Sequence, residues 1–407
     1  MPFVIFTCPW FSDTAHRYIE AATSLLDVQL GVISETPLET MAPQLQTRIA
    51  GHWRVPSVRD SDQVAWAAQE LSQRHGPIHR IFSGQEQVQV VMAQVREWLG
   101  IPGMDVQSAL NFRDKARMKA VFQDHGLPCA RHRLVTSPDD AWAFAAETGF
   151  PLVVKPPAGA ASQATFRVDT PEAFGQALAV AEPSQDQPAL LEEFIVGSEH
   201  SFDCYLLDGR PLFHSLTHYY PSPLEVMNHP WMQWTVVLPR EVDAPEYDDI
   251  RAAAYRALQA LGMGTGMTHM EWFRRRDGSL AISEVAARPP GAQFTTLISR
   301  AHDFDAVQAW VRLLVYEAFD PPTRKYAAGA AYLRGMGEGR VKAVHGLDQV
   351  YREVGHLVTD FKVPQVGQPK AENYEGEGYI IVRHPETEVV RRALERIVSL
   401  ARIELGE

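Results

Sequence analysis

Strand and helix signals alternate along the first 105 or so residues, and this alternation constrains the fold more than any other feature. Short apolar runs at 4–7, 30–34 and 78–83 predict buried strands, and the segment 88–99 has apolar residues at helical spacing up to Gly100. Strands alternating with helices are typical of a parallel sheet covered by helices. We therefore predict an N-terminal α/β domain over residues 1–105, without a dinucleotide site because no GxGxxG pattern is present.

The remaining chain divides at two proline-containing boundaries. Ile101-Pro102-Gly103 and Asp320-Pro321-Pro322 interrupt the periodic segments, which predicts a central domain over 106–320 and a small α+β domain over 321–407. Within the central part, Asp114, Ser137 and Thr170 each stand where a helix N-cap is expected. The Asp208-Gly209 and Asp277-Gly278 pairs predict hairpins.

Length, charge and cysteine content exclude several functional classes. A chain of 407 residues predicts two or three domains. Its net charge of −12 argues against a protein that coats nucleic acid or an anionic membrane. Three widely spaced cysteines suit neither a disulfide framework nor a metal site, and no apolar run is long enough to span a membrane. The N-terminus reads as a buried strand instead of a signal peptide, so we expect a cytoplasmic protein.

Glu271 and Glu284 flank the Asp277-Gly278 turn symmetrically. A two-residue hairpin centred on that turn places the two glutamates directly opposite each other, with Cβ atoms roughly 5 Å apart. Like charges at that separation are destabilising unless a cation neutralises them, and Mg²⁺ is bound by one or two carboxylates together with substrate phosphates. A solvated edge pair, or a different register, is the alternative interpretation.

Two cationic residues lie near strand ends. Arg288 has the same parity as Glu284 along an extended chain and could hold a phosphate or a developing oxyanion, or simply form a surface ion pair. Lys155 ends the apolar strand Leu152–Lys155 and precedes a loop of small residues at 158–165. Backbone N–H groups of such a loop can approach phosphate oxygens closely, although the segment could also be a flexible linker.

Three further segments carry candidate site residues. Arg113 and Lys115 lie in the first turn of a helix, where positive charge opposes the helix dipole and therefore suggests a function. The acids of the 192–199 segment could hold a ribose hydroxyl or an exocyclic amine, or be merely solvated. An aromatic and histidine-rich stretch could line a substrate pocket or pack as an irregular segment; it comprises His214, His218, Tyr219, Tyr220, His229, Trp231 and Trp234. A tight turn at Asp208-Gly209 would also pair Asp203 with His214.

In order and spacing, these segments together resemble the ATP-grasp superfamily of ADP-forming carboxylate–amine ligases. The resemblance covers essentially the whole chain and includes L-amino-acid ligases and biotin carboxylase-like members; the C-terminal module resembles the small domain that ends L-amino-acid ligase-type members. It rests on the following segments: Arg113-Asp114-Lys115, Val154-Lys155-Pro156, Glu192-Glu193-Phe194-Ile195 with Gly197 and Glu199, His269-Met270-Glu271, and Glu284 to Gly291.

The resemblance implies a role for each matching residue. Lys115 and Lys155 would contact ATP phosphates, with Gly159 and Ser162 in a mobile lid subdomain at about 135–200. The nucleoside would be bound by Glu192, Glu193, Phe194, Ile195 and Glu199. Glu271 and Glu284 would bind Mg²⁺, for which Mn²⁺ could substitute, and Arg288 and Lys155 would be catalytic. Substrate contacts would come from His269, Arg288, Gly291, His218 and Trp231.

The implied activity is formation of an amide or peptide bond between two substrates, a carboxylate and an amine, through an acyl phosphate. The carboxylate substrate is expected to be an amino acid. Small molecules would be its partners, without nucleic acid or membrane, and a homodimer would match other members of the family. Ala286 stands where the family commonly has Asn, and the lid is poor in glycine. These two departures favour one alternative, a nucleotide-binding protein without ligase activity. A biotin carboxylase-like enzyme is the other alternative.

Overall fold

The computed structural model describes residues 1–157, 165–229 and 232–407 of the chain. Its N-terminal part is a parallel sheet flanked by helices, as the alternating pattern predicted, with strand order β3-β2-β1-β4. The strands are β1 (Phe3–Cys8), β2 (Gln29–Ser34), β3 (Gly51–Arg54) and β4 (Ile78–Phe82). The helices are α1 (Asp13–Thr23), α2 (Pro43–Gln46), α3 (Ser61–His75) and α4 (Gln89–Leu99).

Two consecutive helices connect this domain to the rest of the chain, α5 (Val106–Arg113) and α6 (Lys115–Asp124). Asp114 separates them, and its carboxylate caps α6 by accepting hydrogen bonds from the N–H groups of Ala116 (2.8 Å) and Arg117 (3.0 Å). The Lys115 N–H donates to the carbonyl of Pro157 (2.8 Å). That bond fixes the start of α6 against the end of the strand that carries Lys155.

A small antiparallel sheet with strand order β5-β8-β6-β7 follows. It is formed by β5 (His132–Val135), β6 (Leu152–Lys155), β7 (Phe166–Val168) and β8 (Ala189–Glu193), with helices α7 (Pro138–Thr148) and α8 (Pro171–Ala181). The side chains of Ser137 and Thr170 cap these helices as predicted. The predicted loop residues Gly159 and Ser162, and Trp231 further along, lie outside the described residues.

An eight-stranded antiparallel sheet forms the centre of the molecule, in the order β13-β12-β9-β10-β11-β14-β18-β17. Its strands are β9 (Gly197–Leu207), β10 (Arg210–Tyr220), β11 (Trp234–Leu238), β12 (Gly266–Arg275), β13 (Leu280–Ala286), β14 (Ala327–Leu333), β17 (Val358–Lys362) and β18 (Gly378–His384). The strands numbered between these, β15 (Gly335–Met336) and β16 (Arg340–His345), form a separate sheet with β19 (Arg402–Gly406). Because β14 pairs with β11, the C-terminal segment continues the central sheet.

Helices cover both faces of the central sheet. They are α9 (Pro223–Asn228), α10 (Asp248–Leu261), α11 (Phe294–His302), α12 (Ala306–Tyr316), α13 (Leu347–Val354) and α14 (Thr387–Leu400). One apolar core joins α1 of the N-terminal domain to α11, α12 and the front face of the sheet. A second core lies between the back face, α6 and α10. None of the helices in the described parts of the chain is long and apolar enough to cross a membrane.

Candidate active site

A cavity of about 180 Å³ opens on the front face of the central sheet and is bounded by all three parts of the chain. Its lining includes most of the predicted site residues in the described segments: Lys115, Lys155, Glu192, Glu193, Phe194, Ile195, Glu199, His269, Glu271, Glu284, Arg288 and Gly291. These residues are far apart in the sequence. The fold therefore gathers residues that the sequence could connect only through their order.

Glu271 and Glu284 are direct partners in the β12–β13 ladder, which confirms the predicted pairing. Lys115 Nζ lies 2.9 Å from Glu284 Oε2. Burial alone would raise the pKa of Glu284, but Lys115 and Lys155 outweigh burial and lower it to about 2. The Glu284 carboxylate is therefore ionised at neutral pH.

Glu199 adds a third carboxylate to this region. It is 9% exposed, and its pKa is raised well above the usual value by burial and by the negative charges of Glu271 and Glu284. The described residues contain no cluster of three or more His, Cys, Asp or Glu side chains able to hold a metal by themselves. The carboxylates of Glu271 and Glu284, with Glu199 close by, are oxygen donors of the kind that bind Mg²⁺. Such an ion commonly takes its remaining ligands from phosphates and water.

Two buried lysines share one glutamate at the other side of the cavity. Glu192 Oε1 lies 2.9 Å from Lys155 Nζ and 3.3 Å from Lys119 Nζ. Burial would raise the pKa of Glu192, but the two ammonium groups lower it. Lys119, which the sequence interpretation missed, is fully buried, and burial lowers its pKa despite Glu192. Its position four residues after Lys115, on the same face of α6, could have revealed it.

The 193–195 segment borders the same end of the cavity. The Glu193 carboxylate is bound by Arg131 (3.0 Å) and Arg275 (2.6 Å), and the Phe194 N–H donates to the Pro151 carbonyl (3.1 Å). Both groups therefore already have partners within the protein. Glu192 is likewise paired, with Lys119 and Lys155.

Arg288 lies against an acid that the sequence interpretation also missed. Its Nη2 is 2.9 Å from Oε2 of Glu86, which begins the short 3-10 helix Glu86–Val88 after β4. Arg113 Nη1 approaches the other carboxylate oxygen of Glu86 at 3.4 Å. Burial would lower the pKa of Arg288, but Glu86 raises it. Segments that are far apart in the sequence therefore meet at this guanidinium.

His269 is oriented by a buried carboxylate. Its Nδ1 lies 2.7 Å from Oδ1 of Asp203, and its Nε2 lies 3.8 Å from Oε1 of Glu271. Asp203 is fully buried and also accepts a hydrogen bond from Ser201 (3.2 Å). Burial would lower the pKa of His269, but Asp203 and Glu271 raise it to about 9.

His218 is not brought to the cavity. It pairs with His200 across β9 and β10, and alternate residues of a strand point to opposite faces, so His218 lies on the back face while Glu199 and Ser201 face the front. Its ring nitrogens lie 2.8 Å from His200 and 3.0 Å from Tyr247. From the aromatic stretch, Tyr219 and Trp234 do line the cavity.

Comparison with known proteins identifies a domain in the central part of the chain. Residues 120–303 match the family model described as the ATP-grasp domain. An L-arginine-specific L-amino acid ligase of Bacillus subtilis is 25% identical over 59% of this chain and 59% of its own length. A D-alanine–D-alanine ligase of Acinetobacter baumannii is 29% identical over 51% of this chain and 67% of its own length.

Solved structures resemble the whole fold. The crystal structure of an L-amino acid ligase from Bacillus licheniformis superposes with a TM-score of 0.78 and 17% identity, over 100% of this chain and 99% of that one. A biotin carboxylase domain of a Hydrogenobacter thermophilus 2-oxoglutarate carboxylase, solved with MgADP, superposes with a TM-score of 0.69 and 17% identity. The match covers 98% of this chain and 90% of that one. The chain therefore has the ATP-grasp fold and contains an ATP-grasp domain.

Proposed function

We propose that this chain is an ATP- and Mg²⁺-dependent ligase that joins the carboxylate of an amino acid to an amine and releases ADP and phosphate. The observation that carries the proposal is the ionised Glu284, held opposite Glu271 and beside Lys115 in one cavity with Lys155 and Arg288. Both curated relatives described above are named as ligases of amino acids, which supports the same class of reaction.

The donor set suits binding of a magnesium nucleotide. Glu271 and Glu284 would hold Mg²⁺, which neutralises negative charge on phosphate oxygens during phosphoryl transfer. Lys115 and Lys155 would contact the phosphates as point charges, and Glu192 would accept a hydrogen bond from the exocyclic amine of adenine. Glu199 would face the ribose, with the residues at 193–195 bordering the base.

The reaction can be written with all atoms balanced. A carboxylate oxygen attacks the γ-phosphorus of ATP, ADP leaves, and an acyl phosphate forms. The amine then attacks the acyl carbon, phosphate leaves with its bridging oxygen, and the amine loses a proton. Arg288, which lines the same cavity as Glu271 and Glu284, would stabilise negative charge on the oxygens of the acyl group in both steps.

Hydroxylamine trapping tests this proposal without knowledge of the natural amine. The full chain is incubated with Mg²⁺, ATP, hydroxylamine and one amino acid at a time, and ADP, AMP and hydroxamate are quantified. We expect some amino acids to give hydroxamate and ADP in equal amounts. ADP formation that instead depends on bicarbonate and free biotin would indicate a carboxylase, and nucleotide binding without ADP formation would indicate a binding protein.

A further inference from the structure

Four aromatic side chains form the end of the cavity that lies beyond the metal-binding carboxylates: Tyr219, Trp234, Phe294 and Tyr374. Trp234 is the hub of the group, with ring centroids 4.8 Å from Tyr374, 5.8 Å from Tyr219 and 6.4 Å from Phe294. Tyr219 and Phe294 are 5.7 Å apart. Leu224 of α9 borders the same space. We call these five residues the aromatic end.

The sheet register places the aromatic end on the same face as the carboxylates. Glu271 pairs with Ser201 of β9, Ser201 pairs with Thr217 of β10, and Tyr219 follows two residues later with the same parity. Neighbouring strands are about 4.8 Å apart, so Tyr219 lies about 10 Å across the sheet from β12. A substrate whose carboxylate lies near Glu271 and Arg288 would direct its side chain toward these rings.

The chemistry of this end is apolar. Phe294, Trp234 and Tyr219 are all buried, and their rings line the cavity. The charged residues that line the described cavity come from α6, β6, the 192–199 segment, β12, β13, Glu86 and Arg288, and none belongs to the aromatic end. A charged substrate side chain that packs among these five residues would lose hydration and find no ion-pair partner among them.

Tyr374 comes from the C-terminal segment and belongs to a loop whose backbone is hydrogen-bonded to neighbouring side chains. The buried carboxylate of Glu377 accepts hydrogen bonds from the N–H groups of Gly335 (2.6 Å) and Ala371 (2.8 Å). Arg334 donates to the carbonyl of Asn373 (2.9 Å). These bonds tie down the backbone on both sides of Tyr374, whose ring forms one wall of the cavity.

From this arrangement we infer that the aromatic end binds the apolar side chain of an amino-acid substrate, of the leucine or phenylalanine class, and that Tyr374 limits its size. The inference rests on the proposed function for the placement of the substrate carboxylate. Tyr374 and Leu224 act as specificity-determining residues, because they border the space and are less deeply buried than Trp234 and Phe294.

Equilibrium binding tests the inference separately from ligation. L-leucine, L-phenylalanine, L-tryptophan, glycine, L-glutamate and L-lysine are titrated calorimetrically into the full chain with Mg²⁺ and a non-hydrolysable ATP analogue. We expect leucine or phenylalanine to bind at least about tenfold more tightly than glycine or the two charged amino acids. Equal or tighter binding of glycine, glutamate or lysine, or no binding of any apolar amino acid, overturns the inference.

Two variants test the wall itself. Tyr374→Ala should shift the preference toward tryptophan over leucine by about tenfold, and Leu224→Trp should shift it toward leucine over phenylalanine. Affinity for the ATP analogue reports that each variant is folded and should stay unchanged. Tyr351→Ala, at a 78% exposed tyrosine of the same C-terminal segment, is the matched control. An unchanged preference in folded Tyr374→Ala overturns the role of that residue.

The two proposals fail in different ways. Apolar amino acids that bind with the expected preference but never yield ADP would contradict ligation and leave the binding inference standing. Hydroxamate formation confined to glycine or charged amino acids would support ligation and contradict the aromatic end as the side-chain site.

Discussion

At the residue scale, the cavity is organised by buried groups of opposite charge that compensate one another incompletely. Glu284 faces Lys115, Glu192 faces two lysines, and Glu199 is next to two other acids. Buried charges are costly unless paired, so a protein that needs only stability has little reason to gather these groups. The residual positive charge around Glu192 and the residual negative charge around Glu271 match the phosphates and the cation of a magnesium nucleotide.

Glu284→Gln is the most direct test of the carboxylate pair. The amide keeps the shape of the side chain but removes the charge that faces Lys115, so we expect Mg²⁺-dependent phosphate release to fall on the order of 100-fold or more. Asp277→Asn, at the exposed turn of the same hairpin, is the control and should retain activity. Full turnover by folded Glu284→Gln, judged by circular dichroism, would exclude Glu284 as a metal ligand.

At the scale of elements, hairpin registers decide which side chains meet. Near its turn the β12–β13 hairpin is one residue out of the predicted register, because residues 276–278 form the turn with Gly278 at φ +84°. A bulge between Glu271 and Trp272 shifts the register back, so Glu271 still faces Glu284. In the β9–β10 hairpin a bulge has the opposite effect, and Asp203 pairs with Ser215 instead of the predicted His214.

Local signals were predictable and long-range ones were not. The caps at Asp114, Ser137 and Thr170 depend on a few adjacent residues and were confirmed. Tertiary packing brings Glu86, Lys119 and Tyr374 to the cavity. In the sequence alone, Glu86 looks like any solvated acid, Lys119 like a surface lysine and Tyr374 like a core tyrosine. His218 was expected in the site because of its neighbours in sequence, but strand alternation turns it away.

The back face of the central sheet predicts a pH dependence of stability. Burial, assisted by the charge of Arg391, lowers the pKa of His218 to about 4. Burial, assisted by His218 and Arg274, lowers the pKa of His200 to about 3. Both rings are bonded as neutral groups to each other, with Tyr247 and Ser198 at the two ends. Because the unfolded chain takes up these protons near pH 6.5, stability is lost as the pH falls from 6.5 toward 4.

His218→Gln tests this linkage. Removing one of the two groups should make the free energy of unfolding less dependent on pH between 6.5 and 4, by on the order of 2 kcal/mol over that range. Urea titrations at several pH values measure the slope. His345→Gln, at an exposed histidine, should leave the slope as in the parent chain, and an unaltered slope in His218→Gln would contradict the assignment.

At the scale of the whole molecule, the cavity depends on contacts between segments from the entire chain. The N-terminal domain contributes Glu86, the central segment contributes the carboxylates and lysines, and the C-terminal segment contributes Tyr374. The eight-stranded sheet and the core shared by α1, α11 and α12 hold these parts together. A fragment limited to the matched residues 120–303 would lack Glu86 and Tyr374 and therefore both of these contacts.

Glu86→Gln tests the contact between domains. Loss of the charge beside Arg288 removes the ion pair that orients its guanidinium. We therefore expect turnover to fall about tenfold, while affinity for the ATP analogue changes less than about threefold. Glu39→Gln, at an exposed position of the same domain, is the control. A fall in nucleotide affinity equal to the fall in turnover would place Glu86 in nucleotide binding instead.

The central claim is that a carboxylate is activated by phosphoryl transfer. An amino acid that supports hydroxamate formation is labelled with ¹⁸O in its carboxylate and supplied with ATP, Mg²⁺ and an amine, and the phosphate released is analysed by mass spectrometry. Because phosphate leaves with the bridging oxygen, we predict one ¹⁸O-labelled phosphate and one ADP for each amide formed. Amide formation with unlabelled phosphate, or with AMP in place of ADP, would contradict the account.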